Sequence, residues 1–299
     1  MLNSVPYVSS STSTCDYTSS LNEDGFVIIE GLFSQKDLQK LQVEIDESFS
    51  KSKFCKGFFY GEKTKRFGRV FAKSKMSHQL ALHPVIMNIV KEVLGHNCEE
   101  IQMNLTQAIE IHPSSPAQIP HRDQDIWQGC EHTGEKMVNV MFALDDFNCN
   151  NGGTRIWPGS HRVADTFIDE KLSVQSEMPA GSVCIFLGST LHSGGANLSQ
   201  YRRRGLIMSY CLGWLKPAEN PWLSYPPEIA KTFAPELQNL IGYRQDAPSL
   251  NNYEGACPSL LLADMQKDKH FSTKLTPEQT IALRIYNEYQ TSVKDSVPA

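Results

Sequence analysis

Short apolar runs separated by turn-forming residues fill the middle of the chain and most limit its possible folds. Residues 137–144, 183–187 and 206–212 are nearly continuous in apolar side chains, which is typical of strands that are covered on both faces. Residues 101–111 instead alternate apolar and polar side chains, as a half-buried strand does. Because no helical pattern separates these strands, a doubly wound parallel sheet is excluded. We therefore expect a mainly β fold, a sandwich or jelly roll with helices packed outside.

Helical patterns lie on either side of these strands. Apolar residues recur at helical spacing behind Ser34, a favoured N-cap, and predict a helix over residues 35–50. A second apolar stripe predicts a helix over residues 77–94. Pro277 at a first helical position predicts a closing helix over residues 276–290. Residues 26–29 form a short apolar run that we expect to be a strand.

The chain is expected to form one folded domain, because no repeat or linker divides it. Residues 1–20 are rich in Ser and Thr and are predicted to be a flexible arm, with residues 21–299 forming a single domain. Residues 216–275 are rich in Pro, Tyr and Asn with weak periodicity. They are predicted to be an irregular lid over the β structure.

Composition excludes several classes of partner. With 299 residues and a net charge of −5, the chain has no basic surface that would suggest nucleic acid or an anionic membrane as a partner. No stretch approaches the 18 or more apolar residues of a membrane-spanning helix. The eight cysteines show no metal-binding or disulfide spacing. The N-terminal residues do not resemble a signal peptide, so we expect a cytoplasmic protein. The sequence leaves a homodimer open.

Two histidines and a carboxylate suggest an open iron site. His121 and Asp123 are two residues apart, so on an extended strand their side chains point the same way. With His192 as a third ligand, this set has the composition of a non-haem Fe(II) site, which leaves coordination positions free. The letters His-Arg-Asp also open a kinase catalytic loop, but Gln128 stands where that loop requires Asn, so a kinase is excluded.

The third ligand and a co-substrate anchor follow from local sequence. His192 comes after a buried run and is followed by small residues that leave room for a ligand, whereas its competitor His161 lies in a turn. Arg203 shares a strand face with Gly205, and the glycine leaves space for a carboxylate that a guanidinium can bind with two hydrogen bonds. By the same parity, Arg202 and Arg204 are expected on the other, solvated face.

Several motifs in one order resemble the phytanoyl-CoA dioxygenase family of Fe(II)/2-oxoglutarate oxygenases, over roughly residues 22–215. The matching segments are Asp24-Gly25-Phe26-Val27-Ile28-Ile29, Gln118-Ile119-Pro120-His121-Arg122-Asp123, Leu144-Asp145-Asp146-Phe147, Asn151-Gly152-Gly153-Thr154-Arg155-Ile156-Trp157-Pro158-Gly159-Ser160-His161, and the stretch from His192 to Gly205. A run at residues 212–215 looks most like members that tailor natural products.

The resemblance implies a fold, cofactors and site residues. The implied fold is a double-stranded β-helix of the jelly-roll, cupin-like type, and the implied iron ligands are His121, Asp123 and His192. Arg203 would bind the distal carboxylate of 2-oxoglutarate, with O2 as the other co-substrate. The remaining co-substrate residues implied are Gln118, Thr154 and Arg66. Related halogenases lack the carboxylate ligand, so Asp123 implies oxygen transfer or desaturation.

The sequence says less about the substrate. A medium-sized, partly apolar small molecule from secondary-metabolite biosynthesis is expected, with Phe71, Met103 and Trp127 as candidate pocket residues. One alternative is a hydroxylase of a small polar amino acid or compatible solute. A second, from another class, is a non-catalytic cupin-like protein that binds a metal or small ligand.

Overall fold

The computed structural model describes residues 5–9, 14–129, 134–163, 169–263 and 273–295, and over these residues the chain forms ten strands and eight α-helices. The strands are β1 (Tyr7–Ser9), β2 (Phe26–Glu30), β3 (Thr64–Phe67), β4 (Ile101–Ile111), β5 (Met137–Ala143), β6 (Thr154–Ile156), β7 (Val174–Gln175), β8 (Val183–Leu187), β9 (His192–Gly194) and β10 (Arg203–Leu212). The helices are α1 (Thr14–Asp24), α2 (Gln35–Lys51), α3 (Met76–Ala81), α4 (Pro84–Leu94), α5 (Pro221–Ser224), α6 (Pro227–Ala230), α7 (Pro235–Leu240) and α8 (Pro277–Asp295).

Two sheets face each other, as the apolar runs predict. The larger sheet has the order β1-β2-β8-β5-β10-β4-β3 and is antiparallel except for the β1–β2 pair, while the smaller sheet has the order β7-β6-β9. The long strands β4, β5 and β10 lie side by side and supply most of the wall on which the site is built.

Each face of the large sheet has its own apolar core, which explains why its strands are almost continuously apolar. Val140, Leu206 and Tyr210 point to the outer face, where helices cover them. Met141 and Phe186 point to the inner face, toward the small sheet. Since successive side chains of a strand alternate between the two faces, both sets must be apolar.

Several predicted elements are present with close bounds. Residues 26–29 lie in β2, residues 101–111 form β4, and the helix predicted over residues 35–50 is α2. Ser34 caps α2 by accepting a hydrogen bond from the backbone N–H of Asp37 at 3.2 Å. The helix predicted over residues 77–94 is wrong as a single element, because Pro84 cannot continue it and begins α4 instead.

The terminal and lid predictions also need correction. Residues 14–20 belong to α1, and not to a flexible arm, because Tyr17 and Leu21 are buried in the helix-covered core. In the described part of the predicted lid, up to residue 263, three short helices form. Tyr225, Phe233 and Leu237 pack into that same core rather than over the opening between the sheets.

The closing helix begins where it was expected, yet all its described side chains, at residues 277–291, are exposed. Within the described parts of the chain, no helix combines the length and the apolar character needed to cross a membrane.

Candidate metal centre

Backbone pairing brings the two predicted histidine ligands side by side. His121 and His192 form an isolated antiparallel bridge in which each backbone N–H donates to the other's carbonyl at 3.0 Å. Their ring centroids lie 4.5 Å apart. A segment outside the regular strands and the short strand β9 are thus fixed in register, which sets the spacing of the two imidazoles.

Asp123 joins them through a turn and not through a continuous strand. Arg122 is extended, but Asp123 begins a 3-10 turn over Asp123–Ile126. The Arg122 guanidinium fixes this bend by donating to the carbonyl oxygens of Ser189, at 2.9 Å, and Ser160, at 3.1 Å. The expectation that residues 121 and 123 present their side chains together is met, although by a different backbone path.

The donor atoms of the three side chains converge. The Asp123 carboxylate lies 3.3 Å from His121 Nε2 through Oδ1 and 3.5 Å from His192 Nε2 through Oδ2. His121 Nδ1 lies 2.9 Å from the Ile119 carbonyl, and His192 Nδ1 lies 3.1 Å from the Thr190 carbonyl. Since a carbonyl only accepts, both Nδ1 atoms carry a proton, which leaves Nε2 of each ring as the atom that can bind a metal.

This geometry fits Fe(II), as predicted. The ligand atoms of His121, Asp123 and His192 all lie within 4.8 Å of one another. Two imidazoles and one carboxylate on one side of a metal leave the open positions that non-haem Fe(II) oxygenases use. His161 is not part of this group, because its Nε2 is 3.1 Å from the carbonyl of Asn22, at the end of α1.

Electrostatics in the group favour a cation. Burial alone would raise the pKa of the Asp123 carboxyl, but the facing charges and hydrogen bonds of His192 and His121 outweigh it and hold that pKa well below its usual range. Burial would lower the pKa of His192, and the Asp123 carboxylate outweighs this and raises it. The carboxylate thus stays charged although it is partly buried, and positive charge beside it is stabilised.

Asn139 contacts the metal group, that is, the side chains of His121, Asp123 and His192. It was not identified as a site residue from the sequence. It lies in the middle of β5 with no exposed surface, and its amide Nδ2 donates to Asp123 Oδ2 at 3.0 Å. The available signal was one amide side chain inside an otherwise apolar strand, at a position whose parity faces the small sheet.

A cavity of about 500 Å³ opens above the three donors, between the two sheets. This volume lies within the range of small-molecule sites. Its wall is mostly apolar away from the metal group, where Leu105, Met137 and Ile207 line it. Phe59 and Ile126 lie on the same wall and are each about half exposed.

Arg203 lies on the cavity wall as the sequence predicts. Its side chain is 2% exposed, its guanidinium stacks on the Phe147 ring at 4.1 Å, and Nη2 donates to the Gly152 carbonyl. A Cβ added at Gly205 would lie 2.9 Å from the Phe147 ring and 3.4 Å from Arg203 Nη1, so this glycine makes room for the Phe147 ring and the guanidinium, and not directly for a carboxylate as expected.

The charge of Arg203 has no ion-pair partner among the described residues, and its buried Nε has no hydrogen-bond partner there. Burial and the neighbouring charge of Arg66 lower the pKa of Arg203 to about 9. A buried cation in this condition is stabilised by an anion, and a carboxylate matches its planar fork.

Arg66 is a second arginine on the same wall. Its Nη1 donates to the side-chain oxygen of Gln107 at 2.8 Å, and its guanidinium lies 5.2 Å from the Tyr60 ring centre. Burial lowers its pKa, and its buried Nε has no partner in the described parts of the chain. Gln107 was not predicted, although it occupies the inward-facing parity of β4.

Gln118 and Thr154, the other predicted co-substrate residues, also line the cavity. Gln118 lies three residues before His121, but the chain there is not a regular strand, so strand parity does not apply. Its backbone N–H donates to the Gly194 carbonyl at 2.8 Å. Thr154 is buried and pairs with Gly194 across β6 and β9.

The predicted substrate residues are wrong. Met103 is buried in the helix-covered core because the pairing of β4 with β10 shifts at Asn104, which reverses the parity of Met103 relative to Leu105. Phe71 packs in that core against Tyr225, with ring centroids 5.4 Å apart.

Trp127 also points away from the cavity, since its indole N–H donates to the Lys216 carbonyl at 2.8 Å. The 3-10 turn keeps residues three apart on one side, so Ile126 follows Asp123 toward the cavity instead.

Arg204 was expected on the solvated face, but its side chain is largely buried. Its Nε donates to Glu110 at 2.6 Å and its Nη1 to Asp46 at 2.8 Å, and only 9% of the residue is exposed. The central strand β10 is covered on both faces, so its outer-facing arginine must be paired. Arg202 remains the exposed member of the triplet, with 44% of its side chain accessible.

Relatives at the sequence level include fungal dioxygenases. The chain is 33% identical to dioxygenase aneA of Aspergillus aculeatus over 243 residues, which cover 75% of this chain and 80% of the relative. It is 30% identical to dioxygenase FrzG of Cladobotryum sp., with 75% and 83% covered. It is 28% identical to the multifunctional dioxygenase prhA of Penicillium brasilianum, with 74% and 80% covered.

Solved structures with the same fold are more distant in sequence. The non-haem, α-ketoglutarate-dependent epimerase SnoN from nogalamycin biosynthesis superimposes with a TM-score of 0.58 at 19% identity, over 67% of this chain and 83% of SnoN. HygX from Streptomyces hygroscopicus, solved with nickel, 2-oxoglutarate and hygromycin B, gives a TM-score of 0.56 at 16% identity, over 68% and 89%.

These matches confirm the predicted fold class, a jelly roll with flanking helices, and the predicted class of enzyme, a dioxygenase. Residues 21–205 match the family described as phytanoyl-CoA dioxygenase (PhyH). The chain therefore belongs to the phytanoyl-CoA dioxygenase family.

Proposed function

We propose that this protein is an Fe(II)- and 2-oxoglutarate-dependent dioxygenase that oxidises an unactivated C–H bond of a medium-sized, partly apolar small molecule in secondary metabolism. One observation carries the proposal. An open His-Asp-His donor set and the unpaired guanidinium of Arg203 line the same cavity of about 500 Å³. A metal-binding protein without catalysis has no use for a second, anion-binding end in that cavity.

The roles follow from the contacts. His121 and His192 offer Nε2, and Asp123 offers a carboxylate oxygen, to Fe(II). Arg203 binds the distal carboxylate of 2-oxoglutarate, and Arg66, Gln118 and Thr154 line the space around the co-substrate. With iron bound, 2-oxoglutarate and O2 supply the oxidising chemistry and yield succinate and CO2, while the side chains orient the reactants and exclude water.

The substrate end of the cavity favours an apolar molecule. Leu105, Ile126 and Ile207 line it. Phe59 and Ile126 line the same cavity and expose 45% and 54% of their surfaces. Exposed apolar side chains gathered at one opening are typical of a site that receives an apolar ligand. The alternative substrate, a small polar amino acid or compatible solute, would require charged groups at this end of the cavity. Asp125 is an acidic residue that lines the cavity, so this alternative is kept as the second candidate.

The test is turnover. Under air, purified protein with Fe(II), 2-oxoglutarate and a panel of medium-sized, partly apolar natural-product intermediates should form succinate together with an oxidised product. His192→Ala removes one of three ligands and should abolish both. Succinate formation at the wild-type rate in His192→Ala would reject this ligand set. Metal binding by the wild type with no succinate formation under any condition would favour the non-catalytic alternative.

We also propose a cytoplasmic enzyme that binds neither nucleic acid nor membranes. The homodimer that the sequence leaves open stays a prediction, and light scattering from purified protein measures it.

A further inference from the structure

Asn139 stands out in the inner wall of the cavity because its amide has a single partner among the described residues. Nδ2 donates to Asp123 Oδ2 at 3.0 Å, while the buried Oδ1 has no hydrogen-bond partner in that part of the chain. The residue has no exposed surface, and β10 and β8 flank it in the sheet. A buried amide oxygen without a hydrogen-bond partner costs free energy. The contact of the same amide with Asp123 therefore needs an explanation.

The orientation of this amide follows from chemistry. If its oxygen and nitrogen were exchanged, the amide oxygen would face a carboxylate oxygen at about 3 Å, and two acceptors would repel. The N–H therefore points to Asp123, and it contacts one of the two carboxylate oxygens. Asp123 Oδ1 accepts no hydrogen bond from Asn139 and lies 3.3 Å from His121 Nε2, whereas Oδ2 lies 3.5 Å from His192 Nε2.

We propose that Asn139 makes Asp123 a one-oxygen metal ligand. The amide hydrogen bond holds Oδ2 and fixes the rotation of the carboxylate, so that Oδ1 faces the metal. Asn139 is thus a positioning residue that acts through Asp123. The inference rests on the proposed function only in taking the three-donor site to bind Fe(II).

The number of coordination positions gives this contact its purpose. An octahedral ion held by three one-atom protein ligands would have three positions left, and 2-oxoglutarate with O2 would need all of them. A carboxylate free to turn could bind through both oxygens and occupy one of these positions. Outer hydrogen-bond partners of metal ligands commonly change metal affinity by about 10–100-fold when they are removed.

The first experiment compares Asn139→Leu with Val140→Ala by anaerobic titration with Ni(II) and Fe(II). Leucine keeps the approximate shape of Asn139 and removes the N–H. Val140 is next in β5 but faces the helix-covered core, so Val140→Ala controls for general destabilisation of the strand. We expect Asn139→Leu to change metal affinity at least about 10-fold and to change the visible spectrum of bound Co(II), because the number of carboxylate oxygens on the metal is no longer fixed. Val140→Ala should lower Tm and leave both metal readouts unchanged.

A double-mutant cycle separates positioning from a structural role. If Asn139 acts through the carboxylate, Asn139→Leu should cost no further Ni(II) affinity in an Asp123→Ala background, because the group it orients is gone. Equal losses in both backgrounds, or wild-type affinity in Asn139→Leu alone, would overturn the inference. If Asn139→Leu does not fold, Asn139→Ala takes its place with the same expectations. Wild-type protein that binds none of these metals would overturn both this inference and the proposed function.

Discussion

Arg203 has surroundings that place narrow limits on what the cavity binds. The guanidinium is almost fully buried, lies on the ring of Phe147, and is next to a second, half-buried arginine, Arg66. Two neighbouring cations destabilise each other unless an anion is present. A dicarboxylate that reaches from this end to the metal group satisfies both the charge and the shape of the site, whereas a neutral ligand leaves the charge uncompensated.

Replacement of Arg203 should therefore act on the co-substrate above all. Removing one member of a buried charge pair typically costs 2–5 kcal/mol, so we expect Arg203→Ala to raise the KM for 2-oxoglutarate by about 30-fold or more. Arg203→Lys should restore binding only in part, because an ammonium cannot form the paired hydrogen bonds. Steady-state kinetics with varied 2-oxoglutarate measures this.

Arg202→Ala is the matched control. This neighbour has 44% of its side chain exposed and lies 3.6 Å from Glu110, so its removal should change neither KM nor stability by much. Small and equal effects at positions 202 and 203 would mean that the co-substrate binds elsewhere in the cavity, with Arg66 as the first candidate.

Glu110 gives the folded state an acid-sensitive ion pair. Burial would raise its pKa, but hydrogen bonds from Arg204 and His112 outweigh burial and lower it below the usual 4.5. A depressed carboxyl pKa stabilises the fold above the unfolded-state value, and this stability is lost as pH falls through the folded-state value. The contribution should thus be complete at neutral pH, begin to fall near pH 4.5, and be lost as the pH passes the lower folded-state pKa.

Arg204→Ala should therefore destabilise the protein by about 3 kcal/mol at pH 7, and the difference from the wild type should shrink as the pH falls below 4.5. Urea unfolding at pH 7 and at pH 4 measures both values. A difference that is the same at the two pH values would show that the arginine acts by packing on Phe49, where it lies 4.3 Å from the ring, and not by its charge.

At the scale of elements, the loop between α2 and β3 covers part of the metal group. The Phe59 ring meets the His121 ring edge-on at 5.0 Å and lies on the cavity wall, while the adjacent Phe58 is 97% exposed. Gly57 and Gly61 on either side have positive φ angles, which let the short loop turn back on itself. The loop thus adds an aromatic wall to the substrate end.

Phe59→Ala should weaken binding of the organic substrate and spare the co-substrate. Partial burial of a phenyl ring contributes about 1.5 kcal/mol, so the KM of the substrate identified by the turnover screen should rise about 10-fold, with the KM for 2-oxoglutarate unchanged. Phe58→Ala is the control and should behave as wild type. If Phe59→Ala instead raises the KM for 2-oxoglutarate, the loop belongs to the co-substrate end.

The sequence correctly predicts the elements whose signals are local and do not depend on which strands pair. β4, β8 and α2 appear with close bounds because apolar spacing and caps are local signals. The prediction for Met103 was wrong because one extra residue in β4 moves its side chain to the other face of the sheet. This shift depends on the pairing of β4 with β10, which the sequence alone does not show. Trp127 was misplaced because a 3-10 turn, and not a strand, follows His121.

At the scale of the whole molecule, the grouping of the three candidate metal ligands was predictable from the sequence, and the residues that support them were not. His121, Asp123 and His192 stand in motifs with a fixed order, so no knowledge of distances was needed. Asn139, Gln107 and the pairing of Arg204 depend on which strands are neighbours, which is settled only when β5, β4 and β10 assemble. The same reason explains why helices α5–α7 were mistaken for a lid, since the apolar face they cover is formed by distant residues.

The two ends of the chain should contribute very differently to stability. Leu21 in α1 has no exposed surface and packs in the helix-covered core, whereas all described side chains of α8, at residues 277–291, are exposed. Leu21→Ala should therefore cost about 2–5 kcal/mol, which lowers the Tm of a domain of this size by several degrees. A chain that ends at residue 276 should keep its Tm and its kcat.

Scanning calorimetry and succinate formation measure these outcomes. Light scattering on the wild type and on the truncated chain measures the oligomeric state. The exposed apolar residues of α8 include Ile281, Ile285 and Tyr286, at 52–58% exposure. If the helix joins two copies, truncation should halve the mass in solution while each copy remains folded and active. A fall in Tm as large as that of Leu21→Ala, with no change in mass, would show instead that α8 packs on its own chain.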